Sequence, residues 1–71
     1  VNHQLFSVDY FVDSFTAHAE KHHEMRTQDA INAYYRSVVS TLVQDRLTKN
    51  SEIMRRLRNL DEAYTQFFQS N

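Results

Sequence analysis

The sequence predicts an all-α fold, a small antiparallel bundle of three helices, on three observations. None of the 71 residues is Gly, Pro or Cys, where average usage of about 7% Gly and 5% Pro would supply about eight of the first two. Apolar residues recur at three- and four-residue spacing in three separate runs. Short polar residues of the kind that cap helices precede each run. The missing residue types also remove whole classes of function. Without Cys there are no disulfide staples, thiolate metal sites or cysteine nucleophiles. Without Gly, phosphate-cradling loops and two-residue hairpin turns lose the residue that supplies positive φ.

The first helix is expected over residues 7–26. Ser7 is a good N-cap, and Phe6 and Phe11 occupy the two positions of a hydrophobic staple. Asp9 falls in the first turn, where the helix dipole favours a carboxylate. Val8, Phe11, Val12, Phe15, Ala19 and His22 then form one apolar stripe, with Asp13, Ala17, Glu20 and Glu24 on the opposite side. Arg26 suits the C-terminus.

The second helix is expected over residues 27–47, capped by Thr27. Its main stripe is Ile31, Tyr35, Val38 and Leu42, and a second row through Val39, Val43 and Leu47 widens the apolar arc beyond that of a helix buried on one side. This helix is therefore expected to pack between the other two. The run Thr48, Lys49, Asn50, Ser51 favours caps and turns, so a short loop is expected at 48–50 with Asn50 or Ser51 capping a third helix over 51–69. Ile53, Leu57, Leu60, Tyr64 and Phe67 give that helix the cleanest stripe in the chain. The alternative is one continuous helix from Thr27 to Phe68, which could not fold back on itself and would need a partner.

Length and composition bound the rest. At 41% apolar and 24% charged residues the chain is too hydrophobic for a typical disordered segment and too charged for a membrane span. A chain this short buries only about 60% of its unfolded surface, so one domain with a marginal core is expected, completed by association. It begins at Val1 rather than Met, which reads as a domain cut from a longer protein. No basic stretch precedes an apolar one, so an intracellular setting is expected. The net charge is −1, with the first thirty residues acidic by three and the remainder basic by two. Nucleic acid is therefore not the expected partner.

Candidate site residues follow from what the stripes leave over. Tyr10 lies almost opposite Phe11 and Phe15, Tyr34 and Phe68 sit at stripe edges, and Val43 and Leu47 belong to the extra row. These five are the expected contacts to a protein partner, either a second copy or a subunit of a larger complex, since aromatics are enriched in interface cores. His22 lies mid-stripe, and a buried interface histidine resists protonation, which makes it the candidate pH sensor. His18 and His22 also have the spacing by which a helix offers two imidazoles to zinc. Only Asp29, Asp45 or His3 is left to complete such a site and no second ligand pair exists, so no metal or other cofactor is expected. Arg55, Arg56 and Arg58 are the alternative phosphate contacts, although Glu52, Asp61 and Glu62 stand at pairing distance along the helix. No serine has a histidine at a telling spacing and no glycine elbow is present, so a catalytic role is not expected.

Overall fold

The computed structural model describes residues 4–69, and its three helices, α1 (Val8–Lys21), α2 (Thr27–Gln44) and α3 (Asn50–Gln69), all pack against one another. No strand occurs among the described residues. Ring and hydrogen-bond contacts set the directions. Phe6, just ahead of α1, meets Asn59 in the first half of α3, and Phe15 further along α1 meets Tyr64 and Phe67 near the end of α3, so these two helices run the same way. Tyr34 and Tyr35, in the first half of α2, touch Phe15 and Tyr64, so α2 runs opposite to both.

Helix α1 begins as its sequence specifies. The Ser7 Oγ accepts the Tyr10 N–H at 3.1 Å, and the Phe6 and Phe11 rings of the staple lie 6.1 Å apart. The other boundaries differ from expectation. Helix α1 stops at Lys21 rather than Arg26, with His22 as its C-cap, and residues 22–26 make the reversal. Antiparallel helices need such a connection, and running α1 straight into Thr27 left no residues for it. Thr27 is the first residue of α2 and not its cap; Arg26 holds the cap position without a side-chain hydrogen bond, because its side chain carries donors only.

The continuous-helix alternative does not occur, since α2 ends at Gln44 and the connection occupies 45–49. Asp45 ends it early. Its carboxylate accepts the N–H groups of Leu47 (2.9 Å) and Thr48 (3.0 Å) and the Thr48 hydroxyl (2.6 Å). An aspartate that binds the following backbone in this way offers the chain an alternative to helix. These bonds, the Thr48 hydroxyl first, hold the Asp45 carboxyl below the usual carboxylate range. The first bonds of α3 go to the Lys49 carbonyl, which places Asn50 and Ser51 inside the helix rather than at its cap.

Phe11, Phe15, Ile31, Leu60 and Ala63 make the buried core, with half-buried aromatics around it. The most extensive interface is that of α1 with α3. Helix α2 is therefore not the central member, and only part of its second row packs: Val39 is half-buried, while Val43 and Leu47 are exposed.

Candidate interaction surface

Helices α2 and α3 enclose an open groove of about 830 Å³ whose lining includes Met25, Asp29, Ala33, Tyr35, Arg36 and Asp61. On its floor the Tyr64 hydroxyl donates to Asn32 Oδ1 at 2.7 Å, tying α3 to α2. Burial, and then the Asp61 carboxylate beside it, push the Tyr35 phenol up. Helix periodicity extends this face. Val43 stands two turns beyond Arg36 on α2, and Met54 stands two turns before Asp61 on α3. The helices are antiparallel, so both residues lie toward the same end, next to the Asp45–Lys49 turn that carries Leu47. Val43 is 70% exposed, Met54 52% and Leu47 98%. Asp45 holds Leu47 in this position by capturing its N–H.

Tyr10 and Tyr34 lie on a different face. They line a smaller cleft of about 220 Å³ between α1 and α2, together with Phe6, Phe11, Val38 and Arg56. Both are half-buried, contrary to the expectation that the domain leaves Tyr10 uncovered. The physical reason is the segment before α1. Phe6 adopts φ 63°, a left-handed conformation costing a non-glycine residue about 1 kcal/mol. In that position its ring packs edge-on to Tyr10 at 5.3 Å. Tyr34 is covered on one side by Phe15 (5.4 Å) and on the other by His18 (5.1 Å). Phe68 is likewise half-buried, stacked edge-on against Tyr64 and Phe67 at the end of α3. Of the five expected contact residues, the structure leaves two exposed, Val43 on the α2–α3 face by helix spacing and Leu47 in the turn at its end, and packs the other three onto the core.

The arginine cluster is occupied from within. Glu52 Oε2 accepts from Arg55 Nη2 (2.8 Å) and from Arg56 Nε (2.7 Å), and these hydrogen bonds hold the Glu52 carboxyl at about 2, well below its ordinary 4.5. Arg55 also donates to the Leu5 carbonyl at 3.3 Å. The Arg56 guanidinium stacks 4.1 Å from the centre of the Phe6 ring, and Asn59 Nδ2 donates to the Phe6 carbonyl at 3.0 Å. The pairing of Glu52 with Arg55 and Arg56 is the one the helix spacing implied, and the two arginines also clasp residues 4–7 to α3, which the spacing does not show. Arg58 is exposed.

The histidines form a stack at the end of α1. The rings of His18 and His22 lie 4.5 Å apart, and His18 rests on Tyr34. His22 is the half-exposed C-cap, its Nδ1 3.4 Å from Glu24 Oε2, and not the buried mid-stripe residue the periodicity implied. His18 is the group whose charged form the fold disfavours, through desolvation first and then through His22 and Lys21. Its folded pKa lies below the ordinary 6.5, so the unfolded chain binds more protons in that window. The stability it contributes is complete above 6.5 and is lost as the pH falls through the folded value. Melting temperature is expected to drop as the pH falls below about 6.5, and a His18→Gln variant is expected to flatten that drop. Glu52 and Asp45, held low, act in a more acidic window. Among the described residues no three His, Asp or Glu side chains gather as a metal site; His3 lies outside those residues.

Residues 4–69 match the family model described as YvfG protein. The chain belongs to the YvfG family. A relative from Bacillus subtilis (strain 168), an uncharacterized YvfG protein, is 52% identical over 61 residues, which cover 86% of this chain and 85% of that protein. The matched segment of this YvfG-family chain contains both faces, the clasp on residues 4–7 and the histidine stack. Among the described residues no helix is long and apolar enough to cross a membrane.

Three contributors to these faces escape a reading of YvfG-family periodicity. Met54 falls beside the α3 stripe and reads as ordinary surface, although its position directly after Ile53 is the available signal of a wider apolar arc. The left-handed turn at Phe6 has no signal, since neither Gly nor Asn marks it. Asp45 reads as a speculative metal donor when its oxygens in fact serve the turn.

Proposed function

We propose that this chain is a non-catalytic protein–protein interaction module whose working surface is the α2–α3 face. One observation carries the reading. Among the described residues the large exposed hydrophobics are Leu5, Met25, Val43, Leu47 and Met54; Met25 lines the groove, helix spacing sets Val43 and Met54 on the same face, and Leu47 stands in the turn at its end. Single exposed apolar residues are ordinary, but a group of them beside a groove is the usual mark of a partner surface. A Leu held almost fully in solvent by a purpose-built turn is the strongest member of the group.

The mechanism is burial. A partner surface laid along the face removes Val43, Leu47 and Met54 from water, at roughly 25 cal/mol per Å² of apolar area, while Asp29, Arg36 and Asp61 supply orientation at the groove end. The nucleic-acid alternative draws little support, because Arg55 and Arg56 are already paired with Glu52 and engaged with residues 4–7.

A photo-crosslinking side chain placed in the whole protein at position 43 or 47 tests this reading. In its native host cells or at high concentration, adducts to a second chain are expected from both positions and not from position 20 on the outer side of α1. Equal labelling from all three positions, or none from 43 and 47, contradicts it.

A further inference from the structure

The histidine stack at the end of α1 takes no part in the α2–α3 face. His18 and His22 stand four residues apart, so both imidazoles rise from one side of the helix. Their ring centres lie 4.5 Å apart, with the planes tilted by 41°. We infer that His18 and His22 form a surface site for a divalent transition metal, Cu²⁺ ahead of Ni²⁺ and Zn²⁺, held by the two imidazoles and completed by water. The site is separate from the interaction surface and does not rest on it.

The ring separation fits chelation. An imidazole nitrogen sits about 2.0–2.1 Å from such a metal with its ring centre about 1.2 Å further back, so two rings bound at right angles have centres about 4.5 Å apart, and at the tetrahedral angle about 5.2 Å. The observed 4.5 Å matches the right-angled value, which is the arrangement of tetragonal Cu²⁺ and Ni²⁺ sites. Because both side chains rise from one helix face, bringing two nitrogens to a common point takes side-chain rotation and no backbone movement.

The surroundings suit a cation. Glu24 Oε2 lies 3.4 Å from His22 Nδ1, a carboxylate partner of the kind that keeps the proton on Nδ1 and leaves Nε2 to the metal. Tyr34 packs on His18 at 5.1 Å and limits its ring. Both histidines are half-buried, which leaves the metal's other positions to water. The site falls at the C-terminal end of α1, where the helix dipole favours positive charge; Lys21 opposes a cation there and Glu24 offsets it. Two protein ligands are fewer than a structural zinc site has, and among the described residues no third one joins them. The metal is therefore exchangeable, and since His22 is the C-cap, its binding ties the cap to the last turn of α1 and steadies the start of the 22–26 reversal. Mg²⁺ and Ca²⁺, which take oxygen ligands, are not expected to bind.

Calorimetric titration of the whole, untagged, chelator-treated protein with Cu²⁺ tests the site. Every protein carries His3→Gln, because His3 is a competing imidazole outside the described residues. One Cu²⁺ per chain is expected, with affinity falling about tenfold or more in His18→Gln and in His22→Gln and unchanged in His23→Gln. At Cu²⁺ about a hundredfold above Kd the Tm is expected to rise by about 5 °C or more, and the rise to vanish in the same two variants. Circular dichroism checks their helix content. A measurement on the His3→Gln protein alone needs no further variant: a small fraction of an equivalent of paramagnetic Cu²⁺ is expected to broaden the His18, His22 and Tyr34 ring resonances before those of Tyr10. No saturable binding up to millimolar Cu²⁺ overturns the inference, as does an affinity that His18→Gln and His22→Gln leave intact, a loss in His23→Gln as large as theirs, or broadening that begins elsewhere.

Discussion

Phe15→Ala is expected to bring the chain to the edge of unfolding at 25 °C. The Phe15 ring is fully buried and is the point where all three helices meet, 5.4 Å from Tyr34 on α2 and 6.2 and 5.9 Å from Tyr64 and Phe67 on α3. Truncating a buried Phe costs about 3–5 kcal/mol, from lost transfer free energy and from the cavity left behind. A chain of this size holds about 5 kcal/mol in total, so the loss consumes most of it. Phe15→Leu keeps the volume nearly filled and is expected to lose only about 1 kcal/mol. Urea titration followed by far-ultraviolet circular dichroism reads both. A Phe15→Ala protein melting within a few degrees of wild type would remove Phe15 from the centre of the core.

The second large effect is expected at Phe6, and it carries a signature. Phe6→Ala removes the ring contacts to Tyr10 and Phe11 and the stack under Arg56, at a cost of about 2–3 kcal/mol, or about 10 °C or more in Tm. Phe6→Gly creates the same cavity. Yet glycine adopts the observed φ of 63° without steric cost, so Phe6→Gly is expected to be about 1 kcal/mol more stable than Phe6→Ala. Replacing Ala by Gly ordinarily stabilises the unfolded chain. The usual order, with the Gly variant the weaker, would contradict the clasped geometry of residues 4–7.

The parts of this fold that were legible in the sequence are those decided by periodicity and by direct caps. Ser7 with the Phe6 and Phe11 staple marked the start of α1, and the stripes through Phe11 and Phe15, through Ile31 and Leu42, and through Leu60 found the core. Helix ends were less legible because short-range competition sets them. Asp45 takes the N–H groups of Leu47 and Thr48 and ends α2 before its apolar row does, and that row's surplus is what leaves Val43 and Leu47 in solvent. The face itself was half visible. A single-helix wheel identifies Val43 and Leu47 as unpartnered, but it treats Tyr10 and Tyr34 the same way, since it contains neither the Phe6 segment nor the His18 ring that cover them. For the same reason the local pairing of Arg55 and Arg56 with Glu52 was legible, while their contacts to Leu5 and Phe6, about fifty positions away, were not.

The central claim is that the α2–α3 face exists to be covered. The most direct measurement is the sedimentation of a Val43→Lys, Leu47→Lys, Met54→Lys variant beside wild type, with thermal melting at low concentration as a check on the fold. All three side chains are largely exposed, so helix content is expected to be retained and stability within about 0.5 kcal/mol per site. Association is expected to be lost. A folded triple variant that associates as wild type does would contradict the assignment of this face.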